Sequence, residues 1–351
     1  MKYKRIIGAI AVAFLLLGVL IFRYVIYPPV EQYTATFLDV FDTKTDIIGY
    51  AKSEEAFTEQ VKVLKERFEY YHKLYDIYND YEGVNNLKTI NDNAGIAPVQ
   101  VDEEIINLLK LSKDMYEMTD GEVNVAMGSV LEIWHIYRSA GVDNPEKATL
   151  PEMEDLEKAA LHTDIDNLII DEAARTVYLS DPEMSLDVGS IGKGYAVERV
   201  AEYASACGME HMLFSVGGNI CAIGTKWDGN NWRLGIQNPD LSSQTNYVKK
   251  VSFSNMSLVT SGDYQRYYVV DGERYCHIID ADTLKPATSF SSVSILAPDS
   301  GLADALSTAV FNMTYEEGLE FIDKQKDVEA MWIMEDGTIR YSEHFQEYII
   351  E

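Results

Sequence analysis

Apolar positions recur along this chain in three ways, and each predicts a different element. The first is an unbroken run: residues 6–22 are apolar apart from Gly8 and Gly18, with Lys2, Lys4 and Arg5 ahead of them. As helix the run covers about 26 Å, slightly short of a hydrocarbon core of about 30 Å. Arg23 can snorkel, and Tyr24 and Tyr27 suit the far interface, so the run can span a bilayer. The basic residues before it predict an inner tip and an extracytoplasmic remainder. A cleaved signal peptide is the alternative, but Phe22-Arg23-Tyr24-Val25-Ile26-Tyr27 offers no small residues for cleavage, and no cysteine follows for lipid attachment. The expectation is a single-pass cell-membrane anchor over residues 1–27. A stiff spacer with Pro28 and Pro29 follows over 28–33, and one extracytoplasmic domain over 34–351.

The second pattern has helical spacing. Ser53 with Glu54 and Glu55 reads as a helix start, and Phe57, Val61, Leu64, Phe68, Tyr71 and Tyr75 recur at three and four. Asp102 caps a second helix with a buried stripe of Ile105, Ile106, Leu109 and Met115, ending before Gly121. Residues 85–95 between them are polar and Asn-rich, a loop. The third pattern is short β-rich runs: one or two strands within 34–50, then 168–170, 176–179, 212–215, 233–237, 267–270 and 291–296. Helices fit 193–207, stopped by Gly208, and 302–313. The class is α+β with a sheet-rich second half.

Composition narrows the chemistry. A net charge of −28 makes nucleic acid a poor partner, while 47% apolar residues supply a sizeable core. Three cysteines show neither a disulfide framework nor metal-ligand spacing, and six histidines form no zinc pattern.

Four segments carry candidate chemistry. Asp187-Val188-Gly189-Ser190-Ile191-Gly192-Lys193-Gly194-Tyr195 places glycines before a helix start, a phosphate site or simply a turn; it fits neither a Walker loop nor GxGxxG. Ser215-Val216-Gly217-Gly218-Asn219 runs a strand into two glycines, as a hairpin turn would. Ser261, Asp263, Tyr264, Arg274 and His277 crowd polar groups onto one hairpin, dense for a structural edge. Asp304 and Thr308, at i and i+4, share a helix face: Asp304 either meets the helix dipole in a first turn or offers a hard-cation site.

Taken in order, these segments resemble the ApbE family of FAD:protein FMN transferases. The family's DxxxxxKGYAxD element is similar to Asp187 through Glu198, with Glu for the last Asp. Its GG(D/N) element resembles Gly217-Gly218-Asn219, and SGxYxR resembles Ser261 through Arg266. HIIDPxTGxP resembles His277 through Pro286, and ADALxT matches Ala303 through Thr308. Upstream, Phe41-Asp42-Thr43 resembles an opening MGT. Tyr75 through Asn91 resembles a Tyr-containing segment, and Gly121 through Trp134 resembles GxFDPTxGPLxxxW. The likeness spans residues 36–334. This chain departs from the pattern at Asn124-Val125-Ala126, for Asp-Pro-Thr, and at Ala281 and Leu284-Lys285.

The resemblance implies a T-fold-like flavin-transferase domain with a mixed sheet and a β-barrel-like half. It implies Mg²⁺ held by Asp304, Ser307, Thr308 and the Ser190 carbonyl. Lys193 and Asp187 would hold FAD, and Phe41 and Tyr78 would flank the flavin ring. Asn124, Gly218, Asn219, Ser261 and Ile278 would complete the cofactor wall. His277, with an ordinary pKa of roughly 6.5, would take the proton of a Thr or Ser hydroxyl as FMN is transferred and AMP leaves. The acceptors implied are redox-pump subunits or FMN-carrying surface proteins. Two other readings remain open at this point, an FAD pyrophosphatase using the same site and a flavin-binding module without chemistry.

The anchor has a direct check. Membrane fractions should hold full-length protein beginning at Met1, whereas a soluble species trimmed near residue 30 would make the run a cleaved signal.

Overall fold

The computed structural model describes residues 29–350, with Tyr3, Ile7, Gly8 and Phe14. The expected spanning helix over residues 1–27 therefore lies outside the described residues. Among those described, no helix is long and apolar enough to cross a membrane.

The chain opens with β1 (Glu31–Val40) and β2 (Thr43–Ala51). A mostly helical stretch follows: α1 (Glu54–Tyr75), α2 (Leu87–Asp92), β3 (Val99–Gln100), α3 (Glu103–Met118), α4 (Gly128–Asp143) and α5 (Met153–Ala160). Next come β4 (Leu168–Asp171), β5 (Thr176–Leu179), α6 (Gly192–Ala206), β6 (Met212–Val216), β7 (Asn219–Ile223), β8 (Trp232–Gln237) and β9 (Tyr247–Phe253). The rest is β10 (Ser257–Gly262), β11 (Tyr267–Val270), β12 (Glu273–Cys276), β13 (Phe290–Ala297), α7 (Ser300–Asn312), α8 (Tyr315–Ile322), β14 (Glu329–Met334) and β15 (Ile339–Tyr341).

Eight strands form the main sheet in the order β1-β2-β6-β7-β10-β13-β14-β15. Every neighbouring pair in it is antiparallel, which corrects the expected mixed sheet. Between β13 and β14 a pair of helices, rather than one, returns the chain to the end of the sheet it left, so the strands run opposite ways. The described strands also replace the expected barrel-like half with this open sheet and three small satellites, β3-β5-β4, β8-β9 and β11-β12. Residues 31–33, expected in the spacer, already belong to β1, where Glu31 pairs with Ala51.

Period-two alternation buries both faces of the main sheet. On β6, Met212 and Phe214 join the core built with α1 and α6, while Leu213 faces the β8–β9 side with Trp232 and Phe253. On β13, Ile295 packs with the α7 residues Ala303 and Leu306, and Leu296 turns to the opposite cluster. Burial on two faces explains why these strands read as nearly continuous apolar runs.

Two local expectations change. The polar stretch around residues 85–95 contains α2. Asn86 accepts from the Thr89 amide at 3.0 Å while Thr89 accepts from the Asn86 amide, a reciprocal cap over the buried Leu87 and Ile90. Helix α7 starts at Ser300, two residues earlier than expected, because Asp299 caps it by accepting from the Leu302 amide at 2.7 Å. Asp304 thus lies beyond the first turn, and the dipole-capping role belongs to Asp299.

Helices α6 and α7 meet at Gly194. A Cβ there would stand 2.3 Å from the Ser300 carbonyl oxygen and 2.4 Å from Asp304 Cβ. Gly194→Ala should therefore lower stability by about 1–3 kcal/mol, read from the urea midpoint. An unchanged midpoint would show that the helices separate freely at this contact.

Candidate active site

Two tight turns at one end of the sheet begin the site. Val40 pairs with Thr43 around Phe41 and Asp42, whose φ values are 52° and 49°, and Val216 pairs with Asn219 around Gly217 and Gly218, at 49° and 97°. Both are two-residue hairpins with left-handed central residues. Glycine adopts this backbone freely, but Phe41 does so at a cost, which marks it as a held position. Its amide donates to His72 Nδ1 at 3.2 Å. The turns touch: a Cβ on Gly217 would meet Thr43 Oγ1 at 2.3 Å.

The glycine hairpin delivers Asn219 to the centre. Asn219 is fully buried, and its Oδ1 accepts from the Lys193 ammonium, on the first turn of α6. The same ammonium lies 3.4 Å from Asp304 Oδ1, and Asp304 Oδ2 accepts from the Gly194 amide at 2.7 Å. Lys193, Asn219 and Asp304 are separated in sequence yet form one contact. Burial lowers the pKa of Lys193, and Asp304 opposes that shift. One turn along α7, Ser307 donates to the Asp304 carbonyl at 2.9 Å and lies 2.8 Å from Ser261 Oγ, so its hydroxyl is committed to these two bonds. Thr308 is half-buried on the same helix. Glu198, where the motif expects Asp, accepts from the Ser300 amide at 2.7 Å at the start of α7, and burial pushes its carboxyl up to about 7.

The Asp187 loop is tied down from two sides. Asn91 makes paired bonds to the backbone of Leu186, at 2.8 and 3.0 Å, and the Asp187 amide donates to the Val125 carbonyl at 2.9 Å. Asp187 accepts from the Gly189 amide at 2.7 Å, and burial raises its pKa against the pull of His135, Arg138 and Arg266. This loop leads through Ser190 into α6.

His277 follows β12. The β11–β12 register pairs Tyr267 with Cys276, so one step further sets Arg266 opposite His277. Burial, then Arg266, Arg138 and Lys193, push the imidazole down to about 3, and its buried Nδ1 has no hydrogen-bond partner. The expected ordinary histidine pKa is thereby corrected: burial first, then the charges of Arg266, Arg138 and Lys193, disfavour the ring's charged form.

Other positions differ from expectation. Ile278 turns its side chain into the core with Val259 and Val293, and its carbonyl accepts from the Ala287 amide. Asn124 spends its side chain on the Thr163 carbonyl and the Ala126 amide, both at 2.9 Å, bracing a loop beside a cavity of about 340 Å³. Tyr78 is 56% exposed and lies with its ring 5.4 Å from His135. Arg138 donates to His135 Nδ1 at 3.0 Å. Neither His135 nor Arg138 was expected at the site. Their spacing of three on a helix was the available signal, hidden because α4 itself was missed.

This arrangement gathers a cation, a carboxylate, hydroxyls and a neutral imidazole from segments up to 263 residues apart, Phe41 to Asp304. Residues 41–332 match the ApbE family. The chain belongs to the ApbE family. It is 34% identical over 270 residues to the FAD:protein FMN transferase of Treponema pallidum, covering 73% of this chain and 72% of that one. The corresponding protein of Klebsiella pneumoniae is 28% identical, over 82% and 84%. Among solved structures, the ApbE protein of Thermotoga maritima superposes with a TM-score of 0.79 at 29% identity, over 92% of this chain and all of that one. Vibrio cholerae ApbE, at 24% identity and a TM-score of 0.75 over 91% of this chain and all of its own, shares the fold. The fold of this ApbE-family chain is thus the flavin-transferase fold, with mixed α and β content.

The depressed His277 has a thermodynamic signature. Below about pH 6.5 the unfolded chain binds a proton at this position that the folded chain does not take up until about pH 3. Folding stability should therefore fall as pH drops through that window, and His277→Gln should remove this share of the slope. Denaturant titrations of both proteins from pH 7 to 4 test it; identical slopes would mean His277 titrates normally.

Proposed function

We propose that this protein transfers FMN from FAD to a Thr or Ser hydroxyl of an acceptor protein and releases AMP. Family membership and relatives named FAD:protein FMN transferase support the reaction class. The observation that carries it is the convergence of Lys193, Asn219 and Asp304 beside a neutral His277 with an unpartnered ring nitrogen.

The acceptor hydroxyl oxygen forms a bond to the FMN-side phosphorus, and the bond from that phosphorus to the bridging oxygen breaks, so the pair leaves with AMP. The hydroxyl proton must go to a base, and a neutral imidazole is the form able to take it. Lys193 and the guanidiniums near His277 oppose the negative charge that builds on the phosphoryl oxygens. Tyr78 and Phe41 offer rings to the flavin at the rim.

Asp304, with Thr308 and the Ser190 carbonyl, supplies hard oxygen donors around one buried carboxylate. No group of three His, Cys, Asp or Glu suited to a metal occurs among the described residues. A single carboxylate fits Mg²⁺, which keeps waters and shares substrate phosphates rather than demanding a protein cage. Bound there, Mg²⁺ would neutralise charge on the diphosphate. We further propose that the domain works outside the cell membrane, held by residues 1–27, where redox-pump subunits or FMN-carrying surface proteins would be its acceptors.

Incubation with FAD, Mg²⁺ and a candidate acceptor domain should add the mass of FMN to the acceptor. Asp304→Asn should abolish turnover and its Mg²⁺ response. His277→Asn should keep FAD binding while transfer drops by about 10²–10⁴. AMP release without acceptor labelling would mark a hydrolase instead, and full activity of either variant would remove that residue from the mechanism.

A further inference from the structure

The cations around His277 are unusual in a chain of net charge −28. Lys193 has its carboxylate partner in Asp304. Arg138 pairs with no carboxylate among the described residues: its guanidinium is bonded to the neutral Nδ1 of His135. Because a guanidinium can only donate, that bond leaves His135 deprotonated at Nδ1 and adds no negative charge. Burial and the repulsion of Arg266 both lower the affinity of Arg138 for its proton. Arg138 is half-buried and Arg266 exposed, and two guanidiniums that repel each other favour an anion placed between them.

The fold holds Arg138 in this position. Helix α4 packs so closely on β11 that a Cβ on Gly141 would meet the Tyr268 ring at 2.5 Å. Further up the helix, Trp134 Nε1 donates to the Leu284 carbonyl at 2.9 Å, tying α4 to the loop that follows His277. Asp187 opposes the influences of burial and Arg266 on Arg138 through its negative charge. Arg138 is thus joined through His135 to the exposed Tyr78 ring, and its charge reaches His277, whose buried Nδ1 has no hydrogen bond.

We propose that Arg138, oriented by His135, is a phosphate-recognition arm that with Arg266 grips the diphosphate of the flavin nucleotide beside His277. The proposal rests on the reading of FAD as substrate. A planar guanidinium suits two phosphoryl oxygens at once, and the pair relieves its mutual repulsion only when that anion is present. His135 is a positioning residue here, since it spends Nδ1 on Arg138 and keeps the fork aimed.

The test compares FAD with riboflavin, which carries the same ring without phosphate. Arg138→Gln should weaken FAD binding about ten- to a hundredfold and flatten its salt dependence, with riboflavin binding unchanged. Arg138→Lys should recover part of the loss, and His135→Ala should give a smaller loss for FAD alone. Equal weakening of FAD and riboflavin would place Arg138 on the ring and overturn the proposal, as would unchanged FAD affinity. Wild-type protein supplies a measurement that needs no variant to fold. Inorganic pyrophosphate and FAD, but not riboflavin, should protect Arg138 from phenylglyoxal, read by peptide mass. Modification at the same rate with and without pyrophosphate would also overturn it. A wild-type chain that binds no FAD at all would instead remove the FAD reading itself.

Discussion

The contact between α6 and α7 at Gly194 is the constraint on which the site depends. Because residue 194 has no side chain, the two helices approach until the Gly194 amide donates to Asp304 at 2.7 Å, and Lys193 on the same turn comes within 3.4 Å of that carboxylate. A charge pair with Asp304 buried and Lys193 half-buried is costly to assemble and costly to break on one side only. Here the cost is offset by directional bonds: Asp304 takes a backbone N–H, and Lys193 takes Asn219 as a second acceptor. The glycine hairpin, the helix start and the ADAL helix are thereby locked to each other, and the polar side chains they carry inherit their placement from that lock.

Charge is distributed unevenly on purpose-built elements. The surface is strongly acidic, yet Lys193, Arg138 and Arg266 all act on His277, and no carboxylate is among the main influences on that ring. Such a field serves two ends. It keeps the imidazole neutral, and it offers an anion a favourable place in a protein whose net charge would otherwise repel one. The acidic residues near the site that do matter are already engaged: Asp304 by Gly194 and Lys193, Asp187 by Gly189, Glu198 by Ser300.

The departures from the family pattern are absorbed by local bonding. Asn124 occupies an acidic position of the motif and bonds the Thr163 carbonyl through its amide nitrogen, which a carboxylate could not do. Leu284 takes a glycine position with φ of 58°, and its carbonyl is held by Trp134 Nε1. The strain of a branched side chain in that region is thus retained next to the loop carrying His277.

The periodicity of residues 57–75 and 105–115 was enough to place α1 and α3, since a wide apolar stripe at three and four has one stable arrangement. Motif order was enough to name the flavin-transferase family and to single out Lys193, Asn219, His277 and Asp304. Local pattern could not reach the sheet: strand order joins β2 to β6 and β7 to β10, pairings set by which apolar faces find each other rather than by any nearby residue. Helix α4 escaped because its apolar residues are not confined to one face, Ile136 and Val142 being exposed, and with it went His135 and Arg138. The ionisation of His277 was likewise invisible, because an imidazole's pKa follows from burial and from charges brought near it by the fold. Its sequence neighbours are apolar or a buried cysteine; the guanidiniums that depress it come from α4 and from across the β11–β12 register.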